Sequence, residues 1–247
     1  MRLSRAVSAT AAVRQPLLGT FSDPGPSETA LQPVRSETAR YFAGRGPKLT
    51  RLTADYVTEL APAVYARASA GVIERAFTGV SGEVLWKPAA QSWGLGLEVN
   101  YVRQREHDAV LGLRDYGVTS GHASLYWDTG FHDFEVQVDA GRYLAGDWGS
   151  TLTVSRRFPS GWALGAYATL TDVSADDFGE GSFDKGISVT IPFNWTTPFE
   201  TRARNTVELR SISRDGGARL EVANRRYPSV SERGASRLER NWGAFWQ

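Results

Sequence analysis

The sequence predicts an all-β protein, and three observations extend this prediction to an antiparallel up-and-down transmembrane β-barrel. About 10–12 strands are expected, forming either a complete barrel or part of a larger one. Apolar and polar residues alternate with a period of two, the connections alternate in length, and aromatic residues stand beside the shorter connections. Together these features favour a membrane barrel over a soluble β domain.

Alternation with a period of two begins at Leu49 and continues to Tyr227. In the run WGLGLEVNY (residues 93–101), aromatic and aliphatic side chains occupy every second position, with glycine or polar residues between them. Because successive strand residues point to opposite faces, such a strand has one apolar and one polar face. About eleven runs of this kind can be marked, with a hairpin expected around Asp215 and Gly216.

The connections between the runs differ in length from one end of the strands to the other. Short connections such as KPAAQS, DTG and PSG alternate with longer ones such as QREHDAVLGLRDYG and DVSADDFGEGSFDK. This asymmetry is typical of outer-membrane barrels, and aromatic rings prefer the depth of the lipid headgroups. The short connections are bracketed by Trp86, Trp93, Trp127, Phe131, Phe158 and Trp162. The alternative is a soluble periplasmic β-domain that binds a polysaccharide or a partner protein.

The composition excludes several classes of protein. The 28 basic and 27 acidic residues nearly balance, which argues against a nucleic-acid partner. Cysteine is absent, so disulfides, thiolate metal sites and a cysteine nucleophile are excluded. Residues 1–40, which contain no convincing signal peptide, are predicted to be a disordered or non-native segment, and residues 41–247 to be the barrel domain.

From about Leu31 to the C-terminus, the sequence resembles the C-terminal part of a known group of proteins. The likeness is carried by GLEVNYVRQRE, YGVTSGHASLYWDTG, DAGRYLAGDWGSTLTVSRRFPSGWALGAYATLTDV, DFGEGSFDKGISVTIPF, RDGGARLEV and the terminal WGAFWQ. These stretches are similar to the YjbH/GfcD-type outer-membrane proteins, which belong to exopolysaccharide and group 4 capsule export in Gram-negative bacteria. Residues 1–30 fall outside the resemblance.

The resemblance implies a location in the outer membrane and a structural or conduit role in polysaccharide biosynthesis and export. It implies no catalytic residues and no cofactor. The expected partners are outer-membrane lipid, the exopolysaccharide and other polysaccharide-export proteins. Members of the group are longer, and the chain is interpreted as a copy that lacks their N-terminal half.

The stretch DDFGEGSFDKGI (residues 176–187) combines four acidic side chains with three glycines. Its acidic residues Asp176, Asp177, Glu180 and Asp184 could contact a metal ion or a glycan, because Ca²⁺ binds six to eight oxygen ligands. Their spacing matches no known calcium loop, however, and the order of a phosphate-binding loop is missing. We interpret the stretch as a solvated glycine-rich loop and assign no metal to it.

A hydrolase is a further alternative, because His122 and Ser124 lie two apart on a predicted strand and Glu135 follows on the next. A serine nucleophile needs an adjacent base that is itself oriented by an acid, as in a lipid esterase. The preferred interpretation is that these side chains form hydrogen bonds in the lumen and that the protein is not an enzyme.

Arginines recur on the predicted polar faces and in the loops. They are expected either to pair with acids such as Glu98 and Asp139 inside a barrel or to bind an acidic sugar polymer. The set comprises Arg67, Arg103, Arg105, Arg142, Arg156, Arg157, Arg202 and Arg204.

Overall fold

Eleven strands form a single antiparallel sheet in which each strand pairs with its neighbours in the sequence. The structure, a computed structural model, describes residues 4, 6–15, 22–23, 25–27, 30–44, 46–107, 111–158, 160–178, 183–192, 204–210 and 215–231. The strands are β1 (Val7–Arg14), β2 (Lys48–Ala61), β3 (Val64–Glu74), β4 (Phe77–Trp86), β5 (Trp93–Arg105), β6 (Leu113–Asp128), β7 (Phe134–Arg142), β8 (Trp148–Arg157), β9 (Ala163–Thr171), β10 (Asp184–Pro192) and β11 (Arg204–Arg210). The predicted all-β class and antiparallel order are confirmed.

In the described part of the chain, helical structure is confined to three short pieces. These are a 3-10 helix (Ser36–Phe42), α1 (Ala175–Phe178) and α2 (Arg226–Ser231). Within the described residues, no helix has the length and apolarity needed to span a membrane.

The two faces of the sheet have opposite polarity, as the alternation predicts. On β5, Leu97 and Val99 are 56% and 52% exposed, whereas Glu98 and Asn100, which alternate with them, are 3% and 1% exposed. We call the exposed apolar side the outer face and the buried polar side the inner face. A water-soluble β protein has the reverse arrangement, because it buries its apolar side chains.

The outer face is apolar on nearly every strand. Its exposed aliphatic and aromatic residues include Leu52, Tyr56, Val80, Val84, Leu95, Leu97, Val99, Tyr101, Leu125, Val138, Leu152, Leu164, Leu170, Ile187, Val207 and Leu209. The residues that bracket the short connections gather at one rim of the sheet, where Trp86 and Trp93 meet edge to face at 4.9 Å. We call this the aromatic rim.

The opposite rim, the loop rim, carries the connections 75–76, 106–112, 143–147 and 172–183. A small apolar cluster closes the inner side of this rim. Its members come from the strand ends and from two segments outside the sheet, and include Val34, Tyr41, Ile73, Phe77, Val102, Val118, Leu144 and Leu220.

Two segments cover the inner face: the N-terminal inner segment (residues 30–44) and the C-terminal inner segment (residues 215–231). In the second, Asn224 donates to Asp55 of β2 at 3.3 Å, and Arg219 reaches Asp139 of β7 at 2.8 Å. One short segment thus contacts strands from β2 to β7, which requires that the sheet curve around it. The inner segments therefore occupy part of the space where a barrel has its lumen.

The sheet is open in the described part of the chain. β1 and β11 stand at the two ends of the strand order, and no ladder joins them among the described residues. The expectation of a barrel closed by this chain alone is therefore corrected to an open sheet of eleven strands.

Two further differences from the sequence predictions concern the termini. β1 lies in the region predicted to be disordered and pairs with β2 from Val7 to Arg14. The division of the chain at residue 40 stays a prediction. The hairpin expected around Asp215 is wrong, because residues 218–222 form no strand. The Asp215 carboxylate bonds to the N-terminal inner segment instead, which places Leu220 in the apolar cluster.

Candidate functional site

The polar inner face is centred on Glu98, which the alternation of β5 turns inward. Its carboxylate accepts two hydrogen bonds from the guanidinium of Arg225, at 2.7 and 2.9 Å. Nitrogen atoms of Arg67 and Arg219 lie 3.5 and 3.9 Å from it. A carboxylate that is 3% exposed is tolerated because three guanidinium groups compensate its charge.

Arg67 of β3 connects this centre to the neighbouring strands, and its side chain is fully buried. It forms an ion pair with Glu83 at 3.0 Å and donates to the hydroxyls of Ser69 and Ser81 at 2.7 and 3.0 Å. The hydroxyl of Ser69 in turn donates to Asp55. The network thus runs across β2, β3, β4 and β5.

Arg225 joins the C-terminal inner segment to this network. Burial acts to lower the pKa of its guanidinium, but the paired Glu98 carboxylate outweighs burial and raises that pKa above its ordinary value. The next residue, Arg226, donates its backbone N–H to Glu83 at 2.9 Å. The ring of Tyr227 then stacks on Tyr126 of β6 with centroids 3.8 Å apart.

Arg35 anchors the N-terminal inner segment to the loop rim. Its guanidinium forms a bidentate pair with Glu74 at the end of β3, at 2.5 and 3.0 Å. It also donates to the carbonyl of Arg219 at 2.8 Å, and the same Glu74 accepts from the backbone N–H of Glu221. One carboxylate at the strand end therefore holds both inner segments.

Asp215 ties the two inner segments to each other. Its Oδ1 accepts from the backbone N–H groups of Val34, Arg35 and Ser36 at 2.7, 2.7 and 3.0 Å. Its Oδ2 accepts from the Ser36 hydroxyl at 2.7 Å. These N–H groups precede or begin the 3-10 helix and have no carbonyl within it to bond, so the carboxylate satisfies them.

A second charged group surrounds Glu37 at the loop rim. Arg114 and Arg40 donate to its carboxylate at 2.9 and 3.2 Å, and His107 lies 3.0 Å away. Burial acts to raise the pKa of Glu37, but the two guanidinium groups outweigh it, and the pKa is lowered. Burial lowers the pKa of His107.

A cleft of about 560 Å³ separates the C-terminal inner segment from β7 to β11. This volume lies within the range of roughly 300–1,000 Å³ that is common for ligand pockets. Its strand wall is formed mainly by Gln137, Asp139, Thr151, Thr153, Tyr167, Thr169, Asp184 and Glu208. The opposite wall is formed by residues 217–221, Arg35 and Arg225.

The four acidic residues of the stretch 176–187 lie in different environments. Glu180 and the side chain of Asp176 lie outside the described residues. Asp177 is an exposed residue of α1 that accepts a hydrogen bond from the Ser174 hydroxyl at 2.7 Å. Asp184 begins β10 and lines the cleft. No three His, Asp or Glu residues group as a metal site in the described ranges. The contact role of the four residues stays a prediction.

His122 and Ser124 share the buried inner face, as their spacing predicts, but they do not form a nucleophile–base pair. The Ser124 hydroxyl donates to Asp139. The His122 ring packs edge to face on Tyr143 at 4.6 Å, and neither of its nitrogens has a hydrogen-bond partner among the residues that the structure describes. The arrangement that an esterase requires is therefore not assembled here.

The sequence analysis identified Arg67, Glu98 and Asp139 as members of a charged interior, but it missed the cations that carry most of the pairing. Arg35, Arg219 and Arg225 lie in segments without strand alternation, so periodicity gave no signal for them. The available signal was the resemblance, because RDGGARLEV includes Arg219.

Comparison with known proteins places the sequence in a family. The family of the exopolysaccharide biosynthesis protein YbjH, designated YjbH, matches residues 1–232. The chain belongs to the YjbH family. Because the match begins at residue 1, the first thirty residues are covered as well, which corrects the expectation that they fall outside the resemblance.

One relative in the YjbH family is the protein named "Uncharacterized lipoprotein YjbH" of Escherichia coli strain K12. The two sequences are 35% identical over 212 residues, which make up 84% of the present chain and 30% of the relative. The chain therefore spans about a third of that protein's length. No solved structure matches.

Proposed function

We propose that this chain contributes eleven strands to a β-barrel in the outer membrane and takes part there in exopolysaccharide biosynthesis and export. The observation that carries the proposal is the inverted polarity of the sheet, with Leu97 and Val99 exposed and Glu98 buried between them. Such an outer face is stable in lipid, because apolar side chains contact hydrocarbon without the free-energy cost that they have in water.

The distribution of aromatic residues supports the same orientation. Trp127 and Phe131 at the aromatic rim are 48% and 65% exposed. An aromatic ring with one apolar side and one wet side is most stable at a membrane–water interface. The exposed apolar surface between the rims would otherwise be an aggregation liability for a protein in water.

An open sheet in a bilayer needs further pairing partners, because each unpaired backbone N–H or C=O in hydrocarbon costs several kcal/mol. The relative in E. coli is about three times as long as the matched region, so additional strands are a reasonable source of that pairing. We therefore propose that the eleven strands form part of a larger barrel.

The proposed role is structural or that of a conduit, with a polar lumen for the polymer and no catalysis. Its partners would be outer-membrane lipid, the exopolysaccharide and other polysaccharide-export proteins. The family assignment supports a place in the exopolysaccharide pathway.

The test is heat-modifiability of the full chain after refolding into detergent micelles. A β-type circular dichroism spectrum, together with an unboiled gel band that migrates faster than the boiled one, is the expected result if the strands close on themselves or on a second copy. Folding only when the remaining part of a full-length relative is added would support the larger barrel. A monodisperse protein without detergent would refute the membrane proposal and favour a soluble periplasmic domain that binds a polysaccharide or a partner.

A further inference from the structure

The cleft between the C-terminal inner segment and β7 to β11 has a distinctive distribution of charge. Three arginines of the described part of the chain reach it, and each is already paired: Arg35 with Glu74 at 2.5 Å, Arg219 with Asp139 at 2.8 Å, and Arg225 with Glu98 at 2.7 Å. An incoming anion would have to take a guanidinium from a buried carboxylate, which would leave that carboxylate uncompensated.

The strand wall of the cleft is rich in neutral hydrogen-bonding groups. The hydroxyls of the lining residues Thr151 and Thr169 lie 2.8 Å apart, and the Thr151 hydroxyl also bonds at 2.6 Å to that of Tyr143, which is buried behind the wall. Gln137 and Thr153 stand beside these residues. Hydroxyl and amide groups both donate and accept, so they match the hydroxyl groups of a sugar.

An aromatic ring lies on the same wall. Tyr167 of β9 is paired with Gly186 of β10, and its ring covers that glycine so closely that an added Cβ would lie 2.5 Å from a ring carbon. Glycine at this position therefore allows the ring to lie against the sheet at the edge of the cleft. Aromatic rings offer an apolar surface on which the C–H face of a sugar ring can pack.

Among the side chains that the structure describes, the remaining charges on the strand wall are carboxylates. Asp184, Glu208 and Asp139 all line the cleft. Carboxylates accept strong hydrogen bonds from neutral hydroxyl groups and repel other anions. The charge of the wall thus selects against an acidic ligand.

We propose that this cleft binds uncharged sugar residues and discriminates against acidic ones. The inference rests on the proposed function, in that the sugars would belong to the exopolysaccharide handled by the protein. It replaces the idea of arginines that capture an acidic polymer, because the arginines at the cleft are committed to internal ion pairs.

The experiment is saturation-transfer NMR on the full chain in detergent. The probes are neutral oligosaccharides of glucose, galactose and mannose, compared with an oligogalacturonate of the same length. We expect transfer to at least one neutral probe, little change between low and high salt, and none to the oligogalacturonate. The absence of transfer to every neutral probe would overturn the proposal, as would tighter binding of the oligogalacturonate.

Two variants sharpen the test. Tyr167→Ala should weaken binding of the neutral probe about tenfold, the scale of a lost aromatic contact. The matched control Tyr101→Ala, on the outer face, should leave it unchanged. Glu208→Lys replaces a negative charge of the strand wall by a positive one and should create oligogalacturonate binding that falls with salt. If both cleft variants bind as the wild type does, the assignment of this cleft is wrong.

The failure of this proposal can be distinguished from the failure of the membrane proposal. Heat-modifiability reports on the barrel and does not depend on any sugar. A heat-modifiable protein that prefers acidic probes would retain the barrel and reject the neutral cleft. A soluble protein that binds neutral probes would retain the neutral cleft and reject the barrel.

Discussion

Replacing Arg225 by alanine should release the C-terminal inner segment while the sheet stays intact. No residue of this segment belongs to the strand ladders. Arg225 supplies two of the hydrogen bonds that hold the segment to the inner face of the sheet, both to Glu98. Removing one partner of a buried ion pair costs about 3–5 kcal/mol. Because Arg67 and Arg219 remain 3.5 and 3.9 Å from Glu98, we expect the lower end of this range.

The cost can be measured with a single introduced cysteine, since the chain has none of its own. Ser231 in α2 is 8% exposed, so Ser231→Cys should react with a maleimide only when the segment leaves the wall. A loss of about 3 kcal/mol in docking corresponds to labelling faster by about 100-fold. The control Arg103→Ala, at an exposed position of β5, should change the rate less than about twofold. A similarly small effect of Arg225→Ala would refute the reasoning, and so would loss of the β-type spectrum.

Three other perturbations test separate parts of the structure. If the outer face meets the bilayer, Leu97→Arg should destabilise the protein refolded in lipid vesicles by about 2–4 kcal/mol, measured by urea unfolding. An unchanged free energy of unfolding would indicate that the outer face meets water. Asp215→Asn should weaken the docking of the two inner segments to each other by about 1–3 kcal/mol, because a neutral amide is a weaker acceptor than a carboxylate. Proteolysis within these segments should become faster, and unchanged cleavage would contradict this. The pKa of Glu37 is lowered from its ordinary 4.5, so its contribution to docking is complete above that pH and is lost as the pH falls through the folded value. A fluorophore at position 39 should report release in acid, and Glu37→Gln should remove that pH dependence; a transition retained in the variant would assign it to another group.

Much of the sheet could be predicted from the sequence, because a period of two both identifies strands and assigns their faces. The run 93–101 predicted an apolar face through Leu97 and a polar face through Asn100, and the structure has both. Strand order followed as well, since short connections join neighbouring antiparallel strands. The placement of tryptophans beside the short connections likewise predicted a common rim.

The inner segments could not be predicted in the same way. Their position depends on single long-range contacts, such as that between Asp215 and Val34, and these leave no periodic trace. RDGGARL has the glycine pair of a tight turn, which favoured a hairpin, but the buried carboxylate found backbone donors in another part of the chain. Closure of the sheet was also beyond the sequence, because alternation describes each strand and carries no information about the pairing of β1 and β11.

The carboxylate of Asp215 also constrains the order of assembly. It bonds to Val34 across 181 positions, and Arg225 bonds to Glu98 across 127. The neighbouring strands, by contrast, pair through hairpins that close short loops and lose little chain entropy. Contacts between residues that are far apart in the sequence form slowly. The hairpins should therefore form first, and the two inner segments should dock last. Until the inner segments dock, the acids and arginines of the inner face stay hydrated, and water leaves the interior only in this final step.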